Sequence, residues 1–192
     1  MLNNVPFNQF IHTKKTVDIA QELLGYELIY NGPHGTVGGL ITETEAYTED
    51  DPACHAFNGK KTKRNAPMFL PAGHIYIYFI YGMYHCLNIV TEQEGVGSAV
   101  LIRELRPTIG LNIIKKNRPK ITAQQNLLNG PSKLMLGLGI PTELNGTSIL
   151  SDNCPIKLIP HKKPYSTKKL PRIGISKGTD RLWRFRYTEK KS

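Results

Sequence analysis

Two runs of β-branched and aromatic residues, separated by a glycine, constrain the fold of this chain more than any other feature. Residues 74–81 read HIYIYFIY and residues 84–91 read YHCLNIVT. Such runs favour β-strands, and Gly82 with Met83 between them supplies the freedom that a tight turn requires. The sequence therefore predicts a β-hairpin, and with it an antiparallel sheet.

The two faces of the first strand in this hairpin differ in chemistry. Because side chains alternate along a strand, Ile75, Ile77 and Phe79 share one face, which is predicted to pack against the core. The opposite face carries rings with polar tips, and these belong to His74, Tyr76 and Tyr78.

Other short runs complete the predicted fold. Strands are predicted at residues 26–30, 36–47, 98–105, 156–159, 172–175 and 182–187. A helix is predicted from Thr16 to Leu24, ended by Gly25, and others begin near Thr108, Thr122 and Ser132. Strands and helices do not alternate regularly, which predicts an α+β domain with a curved, largely antiparallel β-sheet, surrounded by helices and bearing a protruding hairpin.

Composition is uniform along the 192 residues, of which 40% are hydrophobic and 21% charged. No shift marks a linker, so we expect one domain over residues 1–192. The first ten residues lack the pattern of a secretory signal, and no apolar run approaches the roughly eighteen residues of a membrane span. We therefore expect a soluble, cytoplasmic protein that makes no membrane contact. A compact basic domain of this kind needs no partner subunit, so we also expect a monomer.

The net charge of +10, with 25 Lys and Arg against 15 Asp and Glu, favours a polyanionic partner. Nucleic acid is the partner that fits, although basic clusters also occur as ordinary solvated faces. The positive charge is grouped in four segments, at residues 60–64, 115–120, 162–172 and 181–186.

An acidic segment stands out against this basic background. Five of the fifteen acidic residues fall between Glu43 and Asp51. In a regular strand Glu43, Glu45 and Tyr47 share a side, so a carboxylate beside an aromatic ring is available as a general base. The alternative is an exposed strand end with solvated acids.

Metal sites are not expected. Cys54 with His55, and His85 with Cys86, are adjacent pairs, whereas paired ligands of structural zinc are usually separated by two or more residues. The consecutive acids of residues 49–51 suit magnesium only if they converge, and such runs are usually solvated. The three cysteines are too few and too scattered for a disulfide framework, so free thiols are expected.

Several longer motifs occur in order along the chain. They are TETEAY at 42–47, KRNAPMF at 63–69, YIYFIYGMY at 76–84, LIRELRP at 101–107 and GPSKL at 130–134. Together with His55 and Asn88, they resemble the alkyladenine (3-methyladenine) DNA glycosylase family. The resemblance begins near Ile19 and reaches the RIGIS and WRFRY segments, so it covers nearly the whole chain.

The resemblance implies roles for two residues in hydrolysis. Glu45 falls where the family has the general base that activates the attacking water, and Arg103 falls where an arginine helps to hold that water. The resemblance also implies an α+β fold without a metal or organic cofactor.

The resemblance further implies a pocket for an extrahelical base. Its rings fall at Tyr47, His55 and Tyr78, and Asn88 falls where the family excludes unmodified guanine. Tyr81 falls at the wedge that fills the gap left in the duplex. Among the basic residues, we expect Arg64 to contact the DNA backbone.

The position of Asn88 depends on the length of the hairpin turn. A strict two-residue turn pairs Tyr78 with Leu87 and leaves Asn88 on the opposite face. A three-residue turn, or one bulge, brings Asn88 beneath the tyrosines. We predict the longer turn or the bulge.

The function expected is that of a monofunctional DNA glycosylase acting on double-stranded DNA with damaged purines, near the nucleoid of a bacterium. Its preferred lesion stays open among 3-methyladenine, 7-methylguanine, hypoxanthine and ethenoadenine. One alternative is a non-catalytic nucleic-acid-binding module in which the tyrosines form a stacking platform. A second is a metal-dependent nuclease that uses the acidic segment.

Overall fold

The predicted strand runs pair with one another in an open sheet. A computed structural model describes residues 6–80, 82–160 and 165–189. Eight strands are found there: β1 Tyr26–Gly32, β2 Gly35–Tyr47, β3 Ile75–Ile80, β4 Tyr84–Val90, β5 Ala99–Ile109, β6 Ile156–Pro160, β7 Tyr165–Leu170 and β8 Arg184–Glu189. The helices are α1 Phe7–Phe10, α2 Thr16–Glu22, α3 Leu111–Asn117 and α4 Pro131–Leu138, with four short 3-10 turns.

The sheet has the order β3-β4-β5-β2-β1-β6, and β8 pairs with both β2 and β7. Every strand pairing in the described ranges is antiparallel. The predicted α+β class is therefore confirmed. No helix within the described residues is long and apolar enough to span a membrane.

Three local predictions were wrong. Residues 172–175 form no strand, because the Arg172 side chain and the Ile173 amide bond to distant side chains and carbonyls instead of a strand neighbour. Thr108 lies in β5, and α3 begins only after Gly110. The region near Thr122 holds only the 3-10 turn Gln124–Asn126. Strand β7 was missed because its sequence, YSTKKL, is too polar to signal a strand.

Two apolar clusters lie against the sheet. The larger one includes Leu28, Leu40 and Ile102 from the central strands, and α2 and α4 pack beside those strands. The smaller one contains Met68, Phe69 and Tyr76, and Tyr47 and Tyr78 pack against it. The smaller cluster therefore supports the rings that line the site described below.

The hairpin of β3 and β4 has the longer turn. Ile80 pairs with Tyr84, Tyr78 with Cys86 and Tyr76 with Asn88, so three residues join the strands. Gly82 in this turn has a φ of 70°, a left-handed conformation that glycine adopts without strain. Because paired residues share a face, Asn88 lies on the tyrosine side, as predicted.

The other face of β3 is buried along only part of its length. Ile75 and Ile77 belong to the larger apolar cluster, as predicted, but Phe79 is 47% exposed. The hairpin end therefore extends beyond the core. Tyr81 lies outside the described residues.

Candidate active site

A cavity of about 730 Å³ opens between the end of β2, the hairpin and the N-terminus of α4. Residues 173–177, from the irregular segment between β7 and β8, line its other side. Six of the eight residues predicted from the sequence line the cavity, and they are Glu45, Tyr47, His55, Tyr78, Asn88 and Arg103. Residues far apart in sequence are therefore brought to one site.

Glu45 lies fully buried on β2 at the wall of this cavity. Its Oε2 atom accepts hydrogen bonds from the Tyr47 hydroxyl at 2.8 Å and from Nη1 of Arg103 at 3.3 Å. Its Oε1 atom accepts a hydrogen bond from the backbone N–H of Ile173 at 2.8 Å. The alternative of a solvated strand end is therefore wrong for this carboxylate, which is held by three donors inside the fold.

A β-bulge directs Arg103 toward the carboxylates. Glu43 pairs with Glu104 and Thr44 with Ile102, so Arg103 is an extra residue between two successive pairs. Its Nε donates to Glu43 at 2.9 Å while its Nη1 reaches Glu45. Glu43 thus holds the guanidinium from one side and Glu45 from the other.

Three rings meet across the cavity. The His55 Nδ1 atom and the Tyr76 hydroxyl lie 3.0 Å apart, and the His55 ring meets the Tyr78 ring edge-on at 4.7 Å. The sequence placed Tyr76 on the correct face but did not assign it to the site. Its shared face with Tyr78 was the signal that identifies it.

Burial sets the ionisation of these rings. It raises the pKa of Tyr47, Tyr76 and Tyr78 far above the ordinary value, so each hydroxyl is a neutral donor. Burial, assisted by the positive charge of Arg64, lowers the pKa of His55 below 6.5. The imidazole is therefore neutral near pH 7.

Asn88 is buried and lines the cavity. Its Nδ2 donates to the carbonyl of Tyr76 at 3.0 Å and to that of Cys86 at 3.3 Å. These two bonds fix the orientation of the side chain on the tyrosine face. The predicted location of Asn88 in the pocket is thus observed.

The remaining acids of the acidic segment serve the fold. Glu49 accepts a hydrogen bond from the Gly97 amide at 2.8 Å, Asp50 pairs with Arg181 at 3.2 Å, and the buried Asp51 pairs with Arg172. Across the described ranges, no group of three His, Cys, Asp or Glu side chains is placed to hold a metal ion. All three cysteines are free and buried.

Arg64 lies outside the cavity. It is exposed, and its guanidinium donates a hydrogen bond to the carbonyl of Phe79 near the end of β3. This contact holds the basic segment at residues 60–64 against the hairpin. A contact with DNA stays a prediction for this residue.

The sequence missed several residues at the rim. Ser132 and Lys133, at the start of α4, and Arg118 line the cavity. The GPSKL motif contributed to the family resemblance, but neither residue was assigned a role. Arg172 was counted in the basic segment at residues 162–172, whereas its side chain is fully buried.

The site is a cavity lined by aromatic rings, with a hydrogen-bonded carboxylate in its wall, on a basic α+β domain. Such an arrangement is typical of an enzyme and not of a structural protein. The family model for methylpurine-DNA glycosylase (MPG) matches residues 9–191. The chain therefore belongs to the methylpurine-DNA glycosylase family.

Relatives extend along most of the chain. A protein of Nitrosospira multiformis is 46% identical over 170 residues, covering 88% of this chain and 84% of its own length. One of Methanoculleus marisnigri is 41% identical, covering 91% of each chain, and one of Carboxydothermus hydrogenoformans is 42% identical, covering 94% and 96%. All three carry the provisional name 3-methyladenine DNA glycosylase.

Family membership decides the class of reaction. The protein is a DNA glycosylase, a hydrolase of N-glycosyl bonds that acts in DNA repair on DNA with damaged bases. The alternatives of a non-catalytic binding module and of a metal-dependent nuclease are set aside on this ground.

Proposed function

We propose that the protein flips an alkylated or deaminated purine out of duplex DNA into the cavity and hydrolyses its N-glycosidic bond with a water activated by Glu45. The observation that carries this proposal is the fully buried Glu45 carboxylate at the wall of an aromatic-lined cavity. A base inside the helical stack cannot be reached there, so extrusion must precede the chemistry.

Extrusion of the base costs a few kcal/mol. Tyr81, which follows Ile80 in the sequence, offsets part of that cost by filling the vacated space between base steps. Stacking on Tyr47, His55 and Tyr78, at about 1 to 3 kcal/mol for each good contact, supplies the rest. Electron-poor alkylated bases stack best on such rings.

Selection against normal bases is assigned to Asn88. The two carbonyls that accept from its amide leave it little freedom to move aside. A rigid polar group that lines the cavity excludes the exocyclic amino group of unmodified guanine. The wide cavity accepts several damaged purines of other shapes.

The chemical step requires a base and an anion at the same place. As the glycosidic bond breaks, its electron pair leaves with the purine and positive charge develops on the sugar. Glu45 stabilises that charge and takes a proton from the water, whose oxygen bonds to the sugar carbon. Arg103 orients both the carboxylate and the water. No lysine attacks the sugar in this scheme.

Exposed basic residues around the cavity contact the phosphates that flank the lesion. Arg64 stands beside the hairpin, where the backbone of a bound duplex is expected. The protein acts as a monomer in this scheme, because a compact basic domain that acts on a duplex needs no partner subunit.

The test is release of free base from alkylated and from hypoxanthine-containing duplex DNA, with a chelator present. The Glu45→Gln variant keeps the shape of the side chain and is expected to lose about 100- to 10,000-fold in rate while still binding DNA. Glu22 lies on α2 and pairs with Lys14 outside the cavity, so Glu22→Gln serves as the matched control.

Two results would contradict the proposal. Base release by Glu45→Gln at the wild-type rate would remove Glu45 from the mechanism. A covalent protein–DNA complex trapped by borohydride would show that an amine, and not water, attacks the sugar.

A further inference from the structure

Arg172 is a buried arginine on the irregular segment between β7 and β8. Its guanidinium pairs with both oxygens of Asp51, and neither side chain is exposed to solvent. It also donates to the carbonyl of Ala46 at 2.9 Å and to that of Gly178 at 3.1 Å. One guanidinium therefore joins three separate segments of the chain.

Each of these three segments carries part of the site. Ala46 lies between Glu45 and Tyr47 on β2, and Asp51 lies in the loop that leads from β2 to His55. Gly178 directly follows residues 173–177, which line the far side of the cavity. The backbone N–H next to Arg172, that of Ile173, donates to Glu45.

Arg172 also fixes an aromatic wall of the cavity. The centre of its guanidinium lies 4.7 Å from the centroid of the Tyr47 ring and 5.4 Å from that of Trp183. Stacked cations of this kind stabilise the orientation of a ring. Tyr47 is thus held at two points, by the guanidinium at its ring and by Glu45 at its hydroxyl.

The segments are packed tightly around this ion pair. A Cβ atom at Gly178 would lie 2.7 Å from Oδ1 of Asp51 and 3.1 Å from Nη2 of Arg172. There is no room for a side chain at that point. The arrangement therefore has little tolerance for a shift of either charged group.

We infer that Arg172 is a positioning residue for base excision, which sets Glu45 and Tyr47 in place without touching the substrate. This inference rests on the proposed role of Glu45. Displacements of about 1 Å at a reacting group are enough to cost about a hundredfold in rate. Arg172→Lys keeps the charge but loses the forked contacts and the planar stack.

The experiment is single-turnover base release at increasing enzyme concentration, with wild type, Arg172→Lys and Glu45→Gln in one series. For Arg172→Lys the maximal rate is expected to fall roughly 10- to 100-fold. The enzyme concentration at half-maximal rate is expected to stay at the wild-type value. Loss of folded protein alone would do the opposite, raising that concentration and leaving the maximal rate intact.

Arg106→Lys is the matched control. Arg106 stacks on Tyr187, with 5.7 Å between the guanidinium and the ring centroid, and does not line the cavity. This substitution also removes a planar stack, so it reports the general effect of an arginine-to-lysine change. Its maximal rate is expected to equal that of wild type.

A second variant keeps the inference testable if Arg172→Lys fails to fold. Asp51→Asn preserves the size of the side chain while weakening the ion pair, and the same fall in maximal rate is expected. When both variants fold, the double variant is expected to be no slower than the slower single variant, because both act through one contact.

The possible outcomes distinguish a failure of the positioning role of Arg172 from a failure of the proposed function. A folded Arg172→Lys protein with the wild-type maximal rate, or losses that multiply in the double variant, would overturn the positioning role of Arg172. If Arg172→Lys does not fold, a wild-type maximal rate for Asp51→Asn would overturn it. A wild-type protein that releases no base would instead overturn the proposed function.

Discussion

At the residue scale, the Glu45 carboxylate is isolated from solvent and still accepts three hydrogen bonds. A buried charge without partners is strongly unfavourable, so these donors are part of what allows an acid at this position. They come from the same strand, from β5 and from the segment after β7. The chemistry of one side chain thus depends on three parts of the fold.

The Tyr47 hydroxyl provides a direct test of this arrangement. Tyr47→Phe removes the hydrogen bond to Oε2 of Glu45 and keeps the ring. Without this donor the carboxylate is less firmly positioned, and because small displacements of a reacting group slow a reaction strongly, the rate of base release is expected to fall at least about tenfold. DNA affinity, measured by fluorescence anisotropy, is expected to stay unchanged.

Tyr187→Phe is the control for that substitution. The Tyr187 hydroxyl is buried and has no hydrogen-bond partner in the described part of the chain. Removing it is expected to leave base release intact and to change the free energy of unfolding by at most about 1 kcal/mol, in the stabilising direction. Equal rate losses in the two variants would contradict a specific role for the Tyr47 hydroxyl.

The lowered pKa of His55 predicts how the stability of the fold depends on pH. Burial and the charge of Arg64 lower the pKa of its imidazole below 6.5, so folding favours the neutral ring. The stabilising contribution is complete above pH 6.5 and is lost as the pH falls through the lower pKa of the folded state. An NMR titration is expected to give a midpoint below 6.5.

Arg64→Met is the partner experiment for His55. Removal of the positive charge makes protonation easier, so the His55 midpoint is expected to rise toward 6.5. A midpoint that does not move would assign the low pKa to burial alone. A wild-type midpoint at or above 6.5 would contradict a neutral His55 at the pH of the assay.

At the element scale, the three-residue turn between β3 and β4 decides which side chains meet the base. It pairs Tyr78 with Cys86 and Tyr76 with Asn88, which places all four on one face. A shift of one residue would send each β4 side chain to the opposite face. Turn length therefore acts as a determinant of the pocket.

Deletion of His85 tests the register. With Ile80 still paired to Tyr84, the rest of β4 shifts by one residue and Asn88 faces Ile77 on the opposite side of the sheet, so base release is expected to fall below detection. Met83→Ala keeps the length of the turn and of both strands, so it serves as the control. Cross-strand NOEs between Tyr76 and Asn88 report the register in both variants. Those NOEs persisting in the deletion variant would contradict the argument.

At the scale of the whole molecule, the charge of +10 sets the mode of DNA binding. Lysine and arginine contacts to phosphates release condensed counterions, so affinity falls with salt. We expect a loss of about a thousandfold in affinity between about 50 and 200 mM salt. Anisotropy titrations over that range measure the slope.

Arg64→Gln measures how much one phosphate contact contributes to this salt dependence. Loss of a single phosphate contact is expected to flatten the plot of log affinity against log salt by about one unit. An unchanged affinity and slope would show that Arg64 serves only to hold the Phe79 carbonyl.

The single domain over residues 1–192 and the monomeric state are further predictions. Limited proteolysis tests the first, and sedimentation tests the second.

Local sequence determined most of the strands, and the resemblance to a family indicated the residues of the site. The alternation in HIYIYFIY fixed which rings share a face, and the turn after it was long enough to place Asn88 among them. The acidic segment drew attention to both Glu43 and Glu45, and only the family resemblance distinguished Glu45 as the expected general base. The alternation along a strand depends on neighbouring residues, so local sequence was sufficient to predict it, whereas the roles of Glu45 and Asn88 were inferred from the resemblance.

Tertiary structure alone decided how the carboxylate is held. The bulge at Arg103 arises from the pairing of β2 with β5, and no local pattern predicts it. Arg172 reaches Asp51 across 121 positions, and Ile173 reaches Glu45 across 128. Contacts between residues so far apart depend on how the strands pack. A buried arginine and a surface arginine therefore look alike in the sequence until the fold brings a partner to one of them.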